Sequence, residues 1–199
     1  SRSEAVMKSF DEFFKLAETT KKKRLAVAAA QDTEVLMAVE SAREMGLIDG
    51  ILVGNEAVIK DLAGNLNVNL KNYEVVDAQD TKEAARIAVN LVSGSQADFL
   101  MKGLMSTADI LKAVLDKEIG LRTGSLLSHV MIYSVPSYHK LLFLTDGGMV
   151  TYPDLKQKVQ IIQNAVKVAK ALGISPVKVA PLCAVEVVNP DMQATVDAA

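Results

Sequence analysis

The chain has 199 residues, of which 50% are hydrophobic, 23% are charged and only 5% are aromatic, which excludes a disordered chain and predicts a large aliphatic core. The formal net charge of −2 excludes a global basic field that would recruit nucleic acid. One cysteine cannot form an internal disulfide, and no apolar run reaches the roughly 20 residues that span a bilayer. We therefore expect a cytoplasmic protein with no membrane segment.

The first part of the chain alternates short apolar runs with amphipathic helical patterns. A first helix is predicted over 4–17, and four strands follow it, at 25–30, 51–53, 73–76 and 97–101. Helical patterns lie between these strands, and their predicted caps are Gln31-Asp32-Thr33 for the first and the capping-box pair Asp80 and Glu83 for a later one. Strands that are apolar throughout are typical of parallel sheets buried on both faces. The alternation therefore predicts an α/β fold, with a parallel or mixed sheet covered by helices on both sides.

The pattern changes near residue 125. Strand-like runs at 126–135 and 140–145 are joined by a segment too short for a crossover helix, so we predict an antiparallel pair. We place a boundary here between a first α/β lobe, 1–124, and the start of a second, 125–199.

The second lobe carries three further predicted elements. The first is a long helix that has a capped start at Thr151, Pro153 and Asp154 and ends at Gly173. Its six apolar positions are spaced three or four residues apart: Leu155, Val159, Ile162, Val166, Ala169 and Leu172. A buried strand is predicted over 177–184, which makes Cys183 a small core residue. A last helix is predicted to open at Asn189-Pro190.

An anion site is predicted where the strand at 97–101 ends. Lys102 and Gly103 form the turn, and Ser106 and Thr107 open the next helix. Free N–H groups at the helix start, the two hydroxyls and the ammonium can converge on a phosphate. The same residues also fit an ordinary helix cap with no ligand, because Ser106 and Asp109 have capping-box spacing.

Two other loops carry candidate ligand groups. Arg122, between two glycines, suits bidentate phosphate recognition, although an exposed loop arginine is an equal alternative. Asp146 ends an apolar run and precedes Gly147 and Gly148, which permit close approach of another group. His129, in a predicted strand, fits a hydrogen-bonded structural residue better than a base.

Metal and nucleotide motifs are not found. The two histidines are ten residues apart with no acidic cluster beside them, so no metal site is predicted. The sequence has neither a Walker A loop nor a Gly-x-Gly-x-x-Gly motif, which disfavours common dinucleotide and triphosphate sites.

Four segments occur in a fixed order: ADFLMKGLMSTADILKAVL (97–115), EIGLRTGSLLSHV (118–130), LLFLTDGGM (141–149) and CAVEVVNPDM (183–192). In this order and spacing they resemble the phosphate acetyl/butyryltransferase family, with the closer match to its butyryl-transferring members. The resemblance implies a two-lobed enzyme with a fold like that of the isocitrate and isopropylmalate dehydrogenases and a site between its lobes. It implies interconversion of butyryl-CoA, or a related short or branched acyl-CoA, plus phosphate with acyl phosphate plus CoA, by direct attack of the thiol.

The resemblance also implies roles for single residues. The phosphate ligands would be Lys102, Gly103, Ser106, Thr107 and Arg122; the catalytic residues Asp146 and Ser128; and the substrate contacts His129, Gly147, Gly148 and Asn189. No redox cofactor and no obligatory metal are implied, since CoA is a substrate, and a homo-oligomer is expected.

One departure from the family pattern matters. Family members carry a Ser-Arg-x-x-Asp-like segment near the C-terminus, which supplies a phosphate-binding arginine and the proposed base, and this sequence ends before it. We therefore expect that the C-terminal part is lacking and that the 199-residue form binds ligands weakly or is inactive. Two alternatives stay open: a metal- and NAD-dependent decarboxylating dehydrogenase of similar fold, and a non-catalytic phosphate- or CoA-binding module.

Overall fold

A computed structural model describes residues 8–19 and 21–199, which divide into two compact units. Residues 14–124 form one, here called the parallel-sheet unit. Residues 125–199, together with 8–13, form the other, here called the hairpin unit. The predicted first helix is observed as α1, Phe10–Glu18; its first residues, including Val6, lie outside the described ranges.

The parallel-sheet unit contains one four-stranded sheet in the order β3-β2-β1-β4, and every neighbouring pair is parallel. Its strands are β1 Lys23–Ala28, β2 Ile48–Gly54, β3 Glu74–Asp77 and β4 Phe99–Lys102. Its helices are α2 Thr33–Glu44, α3 Glu56–Asn65, α4 Thr81–Ser93 and α5 Thr107–Val114, with a 3-10 turn at Leu70–Asn72. The predicted α/β class with a mostly parallel sheet is confirmed.

Helices cover both faces of this sheet, as the alternation of buried side chains along β2 shows. Ile51 and Val53 pack into one apolar cluster with α4 and α5, whereas Leu52 packs into a second cluster with α2 and α3. Successive side chains of a strand point to opposite faces, so the two clusters lie on the two sides of the sheet. The continuous apolar runs in the sequence therefore reflect burial on both faces.

The predicted N-caps of this unit are confirmed. The Asp32 carboxylate accepts a hydrogen bond from the Val35 N–H at 3.0 Å. The Asp80 carboxylate accepts one from the Glu83 N–H at 2.8 Å. Each cap satisfies a helix N–H group that has no partner within the helix itself.

The hairpin unit contains two short antiparallel strands, β5 Val130–Tyr133 and β6 Leu142–Thr145, as predicted for this part of the chain. They are followed by α6 Leu155–Ala171 and by α7 Gln193–Ala198. The start of α6 is a capping box, in which the Asp154 carboxylate accepts from the Gln157 N–H and the Gln157 side chain accepts from the Asp154 N–H.

Two predictions for the hairpin unit are wrong. The predicted buried strand over 177–184 is irregular and largely exposed, and Cys183 is only partly buried. Among the described residues, β5 pairs with β6 and the 177–184 segment pairs with neither, and Pro181 within this segment has no N–H to donate to a neighbouring strand. The last helix begins at Gln193 rather than at Asn189-Pro190, because those residues form a turn closed by the Met192 N–H on the Asn189 carbonyl at 2.9 Å.

The apolar positions of α6 also differ from the prediction. Leu155 and Val159 are about half exposed, whereas Ile161, between the predicted positions, is buried. The side of α6 that faces the 126–128 segment carries the amides of Gln160 and Asn164. None of the helices within the described ranges is long and apolar enough to cross a membrane.

Candidate functional site

The strand order of the parallel sheet contains a topological switch point between β1 and β4. From β1 the chain moves to β2 and β3 on one side of the sheet, and it then returns to place β4 on the other side of β1. The loops that follow β1 and β4 therefore leave in opposite directions, and ligands of open α/β sheets bind in the crevice between such loops. The predicted anion site at 102–107 lies at this point.

The turn after β4 packs directly against the end of β1. The Gly103 N–H donates to the Ala28 carbonyl at 2.7 Å, and the Leu104 N–H donates to the Ala29 carbonyl at 2.9 Å. A Cβ atom at Gly103 would lie 2.2 Å from the Ala29 oxygen, so only glycine fits here without a backbone shift. Gly103 thus brings the start of α5 against the end of β1.

The end of β1 has two features that the sequence did not indicate. Ala29 adopts a φ of 60°, in the left-handed region that side chains other than glycine rarely occupy. The side-chain oxygen of Gln31 is buried and has no hydrogen-bond partner among the described residues. That oxygen fills the space above Gly54, where a Cβ atom would lie 2.0 Å from it.

The start of α5 keeps several hydrogen-bond donors available. The Ser106 hydroxyl accepts from the Asp109 N–H at 3.1 Å, which confirms the predicted cap and leaves the hydroxyl hydrogen free to donate. The N–H groups of Thr107 and Ala108 have no partner within the part of the chain that the structure describes. Ser106 and Thr107 are both exposed. The cap and an anion site are therefore compatible.

The Lys102 ammonium is engaged by its own turn. It donates to the Met105 carbonyl at 2.9 Å and to the Gly103 carbonyl at 3.4 Å. An anion bound at the start of α5 would compete with these neutral carbonyls for the ammonium, and a charged acceptor forms the stronger hydrogen bond.

Arg122 is exposed and lies by the opposite end of α5. The N–H of its neighbour Leu121 donates to the carbonyl of Val114, the last residue of the helix, at 2.8 Å. Eight helical residues rise about 12 Å, so the structure does not place the Arg122 backbone beside Ser106. Of the five predicted phosphate ligands, the structure brings together Lys102, Gly103, Ser106 and Thr107.

A second group of predicted site residues lies at one end of the hairpin unit, around the Asp146 carboxylate. One oxygen accepts from the Gly148 N–H at 2.8 Å and the Met149 N–H at 2.7 Å, and the other accepts from the His129 N–H at 3.1 Å. Burial by itself raises the pKa of Asp146, but the hydrogen bonds to the charged form outweigh burial and lower it. Asp146 is therefore a weak base held in place by backbone donors.

His129, Gly147 and Gly148 belong to the same group. The Thr145 hydroxyl donates to the His129 carbonyl at 2.7 Å, which ties the start of β5 to the end of β6. The imidazole lies against Gly147, where a Cβ atom would meet Nδ1 at 3.5 Å. Asn189 instead makes local contacts, because its N–H and carbonyl both bond to the buried Thr195 hydroxyl.

Ser128 is held by a residue that the sequence analysis missed. The Asn164 amide of α6 donates to the Ser128 hydroxyl oxygen at 2.8 Å and to the Leu126 carbonyl at 3.0 Å. One turn earlier, the Gln160 side-chain oxygen accepts from the Leu126 N–H at 3.1 Å. The sequence signal for this contact is the pair of amides at Gln160 and Asn164, which lie four residues apart on one face of a helix. Throughout 8–19 and 21–199, no group of three or more His, Cys, Asp or Glu side chains is placed to hold a metal ion.

The parallel sheet, its switch point and the donors at the start of α5 define an α/β protein with a candidate anion-binding site. The family model described as "Phosphate acetyl/butaryl transferase" matches residues 9–89 and 79–199. The chain belongs to this family, which confirms the resemblance found in the sequence.

Named relatives agree with this assignment. A phosphate butyryltransferase of Clostridium beijerinckii is 50% identical over 192 residues, which are 96% of this chain and 64% of that protein. A second, from Clostridium acetobutylicum, is 47% identical over 98% of this chain and 64% of its own length. The chain thus spans 64% of the length of these two curated relatives.

A solved structure supports the fold. The crystal structure of a branched-chain phosphotransacylase from Enterococcus faecalis matches with a TM-score of 0.76 and 31% sequence identity. The match covers 88% of this chain and 61% of that one.

Proposed function

We propose that this chain is an acyltransferase that interconverts butyryl-CoA, or a related short or branched acyl-CoA, plus phosphate with the acyl phosphate plus CoA. The names of its relatives support this reaction. The observation that carries the proposal is the set of donors at the β1/β4 switch point, because it suits a phosphate and lies where α/β proteins bind ligands.

In the proposed reaction, the CoA thiolate attacks the carbonyl carbon of the acyl phosphate. A C–S bond forms, the C–O bond to phosphate breaks, and phosphate leaves with the bonding electrons. A thiol has a pKa of about 8.5, so at neutral pH its proton must pass to a base or be displaced by nearby positive charge. Donors at the leaving phosphate lower the barrier because they stabilise charge that develops there.

We propose that Lys102, Ser106, Thr107 and the Gly103 turn bind this phosphate. Their support is the glycine turn that packs against β1, the capped helix start with hydrogen-bond donors still available, and the ammonium that bonds to this turn. The predicted part of Arg122 in phosphate binding remains a prediction.

The contacts of Asp146 favour a positioning role over proton transfer. Three backbone N–H groups already bond to its carboxylate, so it would have to give up these bonds to accept the thiol proton. We propose that Asp146 fixes the Gly147-Gly148 loop and the backbone at His129. The catalytic role first expected for Asp146 thus becomes a supporting one in this proposal.

Acyl transfer between sulfur and oxygen changes no oxidation state, so the proposed reaction needs no redox cofactor. We also propose that it requires no metal, and activity in the presence of EDTA tests this. We propose a cytoplasmic location, which the single cysteine supports. We also propose a fold like that of the isocitrate and isopropylmalate dehydrogenases, as the sequence resemblance implies.

A homo-oligomer remains part of the proposal. One face of the β5–β6 pair supports it, because Met131, Tyr133, Leu142 and Leu144 lie on this face and each is about 40% exposed. Clustered apolar side chains of this kind mark interaction surfaces. Light scattering of the purified chain tests this assignment.

The activity is tested by thiol release from butyryl-CoA, measured with and without inorganic phosphate. Release that depends strictly on phosphate supports the proposal, and no release by a version extended to the length of the curated relatives overturns it. Lys102→Ala should raise the phosphate KM about 10-fold, the effect of one lost charge-assisted hydrogen bond. Lys112→Ala removes the same charge from an exposed position in the last turn of α5, and we expect it to change KM less than about 2-fold.

A further inference from the structure

The segment immediately before β5 is held in place by side chains of α6. The Leu126 N–H and carbonyl bond to Gln160 and Asn164, which lie one turn apart on that helix. These bonds replace those that a neighbouring strand would supply. Asn164 makes one contact that Gln160 does not, the bond to the Ser128 hydroxyl.

In the hydrogen bond between Asn164 and Ser128, Asn164 is the donor. The Leu126 carbonyl can only accept, so the Asn164 atom 3.0 Å away must be the amide nitrogen rather than the oxygen. The same nitrogen lies 2.8 Å from the Ser128 oxygen and gives it the second amide hydrogen. Because its oxygen accepts from Asn164, Ser128 keeps its own hydrogen for another acceptor. No such acceptor occurs among residues 8–19 and 21–199.

We propose that Asn164 is a positioning residue that presents the Ser128 O–H as a donor to the carbonyl oxygen of the bound acyl group. This inference rests on the proposed acyltransferase function.

A neutral acceptor suits the position better than a phosphate. The residue after Ser128 donates its N–H to the Asp146 carboxylate, so a fixed negative charge lies close by in the chain's own fold. That charge would repel a phosphate dianion, whereas the carbonyl oxygen of a thioester or an acyl phosphate carries no formal charge. A donor aimed at this oxygen stabilises the negative charge that gathers on it as the thiolate or phosphate attacks.

The test combines turnover with a spectroscopic signal from the carbonyl itself. Butyryl-CoA labelled with 13C at the thioester carbonyl is bound to the protein, and its infrared band is compared with that of the free ligand. In the unsubstituted chain we expect a shift to lower frequency, which Ser128→Ala and Asn164→Asp should both abolish. Both variants should lower kcat about 10- to 100-fold, with the phosphate KM within about 2-fold.

Three further variants separate positioning from folding. Gln160→Ala removes the neighbouring amide but leaves Ser128 bonded, so the band shift and kcat should be retained. If the carboxylate introduced by Asn164→Asp disrupts folding, Asn164→Ala tests the same contact without a charge, and its band shift should also be lost. The double variant Ser128→Ala/Asn164→Ala should be no slower than Ser128→Ala, because both changes remove one interaction.

The possible failures can be told apart. No phosphate-dependent turnover by an unsubstituted version extended to the length of the curated relatives overturns the proposed function and this inference together. Normal turnover with an unshifted carbonyl band overturns the inference alone. The inference alone is also overturned if the Asn164 variants have the same kcat and the same carbonyl infrared band as Gln160→Ala.

Discussion

Each of the two units contains a segment that the sequence predicts to be a buried strand, but only the parallel-sheet unit buries its segment. In the parallel-sheet unit, the run at 51–53 lies in the middle of a sheet and is fully buried. In the hairpin unit, the run at 177–184 forms no strand, and Leu182 is 77% exposed. An apolar run becomes a buried strand only where the fold supplies neighbouring strands to pair with it and helices to cover it.

The largest difference is expected from matched leucine truncations. Leu52→Ala removes a fully buried side chain from the sheet and should lower the free energy of unfolding by about 3 kcal/mol. Leu182→Ala changes an exposed side chain and should cost less than about 0.5 kcal/mol. Urea denaturation followed by circular dichroism measures both. A similar loss in the two variants would contradict the contrast between the units.

A glycine pair tests how tightly the switch point is packed. Gly103→Ala places a methyl group against the Ala29 and Ala28 carbonyls, and we expect a loss of at least about 2 kcal/mol. Gly64→Ala, near the end of α3, meets nothing within 4 Å and should stabilise the helix by about 0.5 kcal/mol. Thermal unfolding of the two variants gives the comparison. An unaffected Tm for Gly103→Ala would show that the turn does not pack as described.

An acid-linked interaction occurs in the parallel-sheet unit at Glu40, whose carboxylate bonds to Arg43 and to the Tyr73 hydroxyl. These contacts lower the pKa of Glu40 to about 2; the bond to Arg43 contributes most, and burial opposes it. A lowered pKa contributes stability that is complete above about pH 4.5 and is lost as the pH falls toward 2.

Glu40→Gln should therefore reduce the unfolding free energy by about 1 to 2 kcal/mol at pH 7 and by much less at pH 2.5. Urea denaturation at several pH values measures this dependence. Glu44→Gln, at an exposed position on the same helix, is the matched control. An equal loss at both pH values would exclude the proposed ionic origin.

The smallest loss of stability is expected from removing a helix cap. It should be similar in the two units, because each cap bonds only within the first turn of its own helix. Asp80→Ala in α4 and Asp154→Ala in α6 each remove a carboxylate that accepts a backbone N–H bond in the first turn. We expect each to cost about 1 kcal/mol. Amide hydrogen exchange of the two helix starts compares them. A large inequality would show that tertiary packing, rather than the cap, holds one of these helices.

The candidate site was only partly predictable. The donors at 102–107 follow one another in sequence, so the strand, glycine turn and capped helix could be recognised directly. Arg122 is held at the other end of α5, because the Leu121 N–H bonds to Val114. Asn164 lies 36 residues from Ser128, and no local pattern joins them.

The sequence by itself determined the α/β class, the parallel sheet, the hairpin and most helix caps. These features depend on interactions between residues a few positions apart or on apolar periodicity. Only the tertiary structure decided that 177–184 is not a strand, that Asp146 accepts three backbone N–H bonds, and that the amides of Gln160 and Asn164 bond to the 126–128 segment. These outcomes depend on which distant backbone groups meet, and the hydrogen bonds of a buried or exposed segment are set by its neighbours in space.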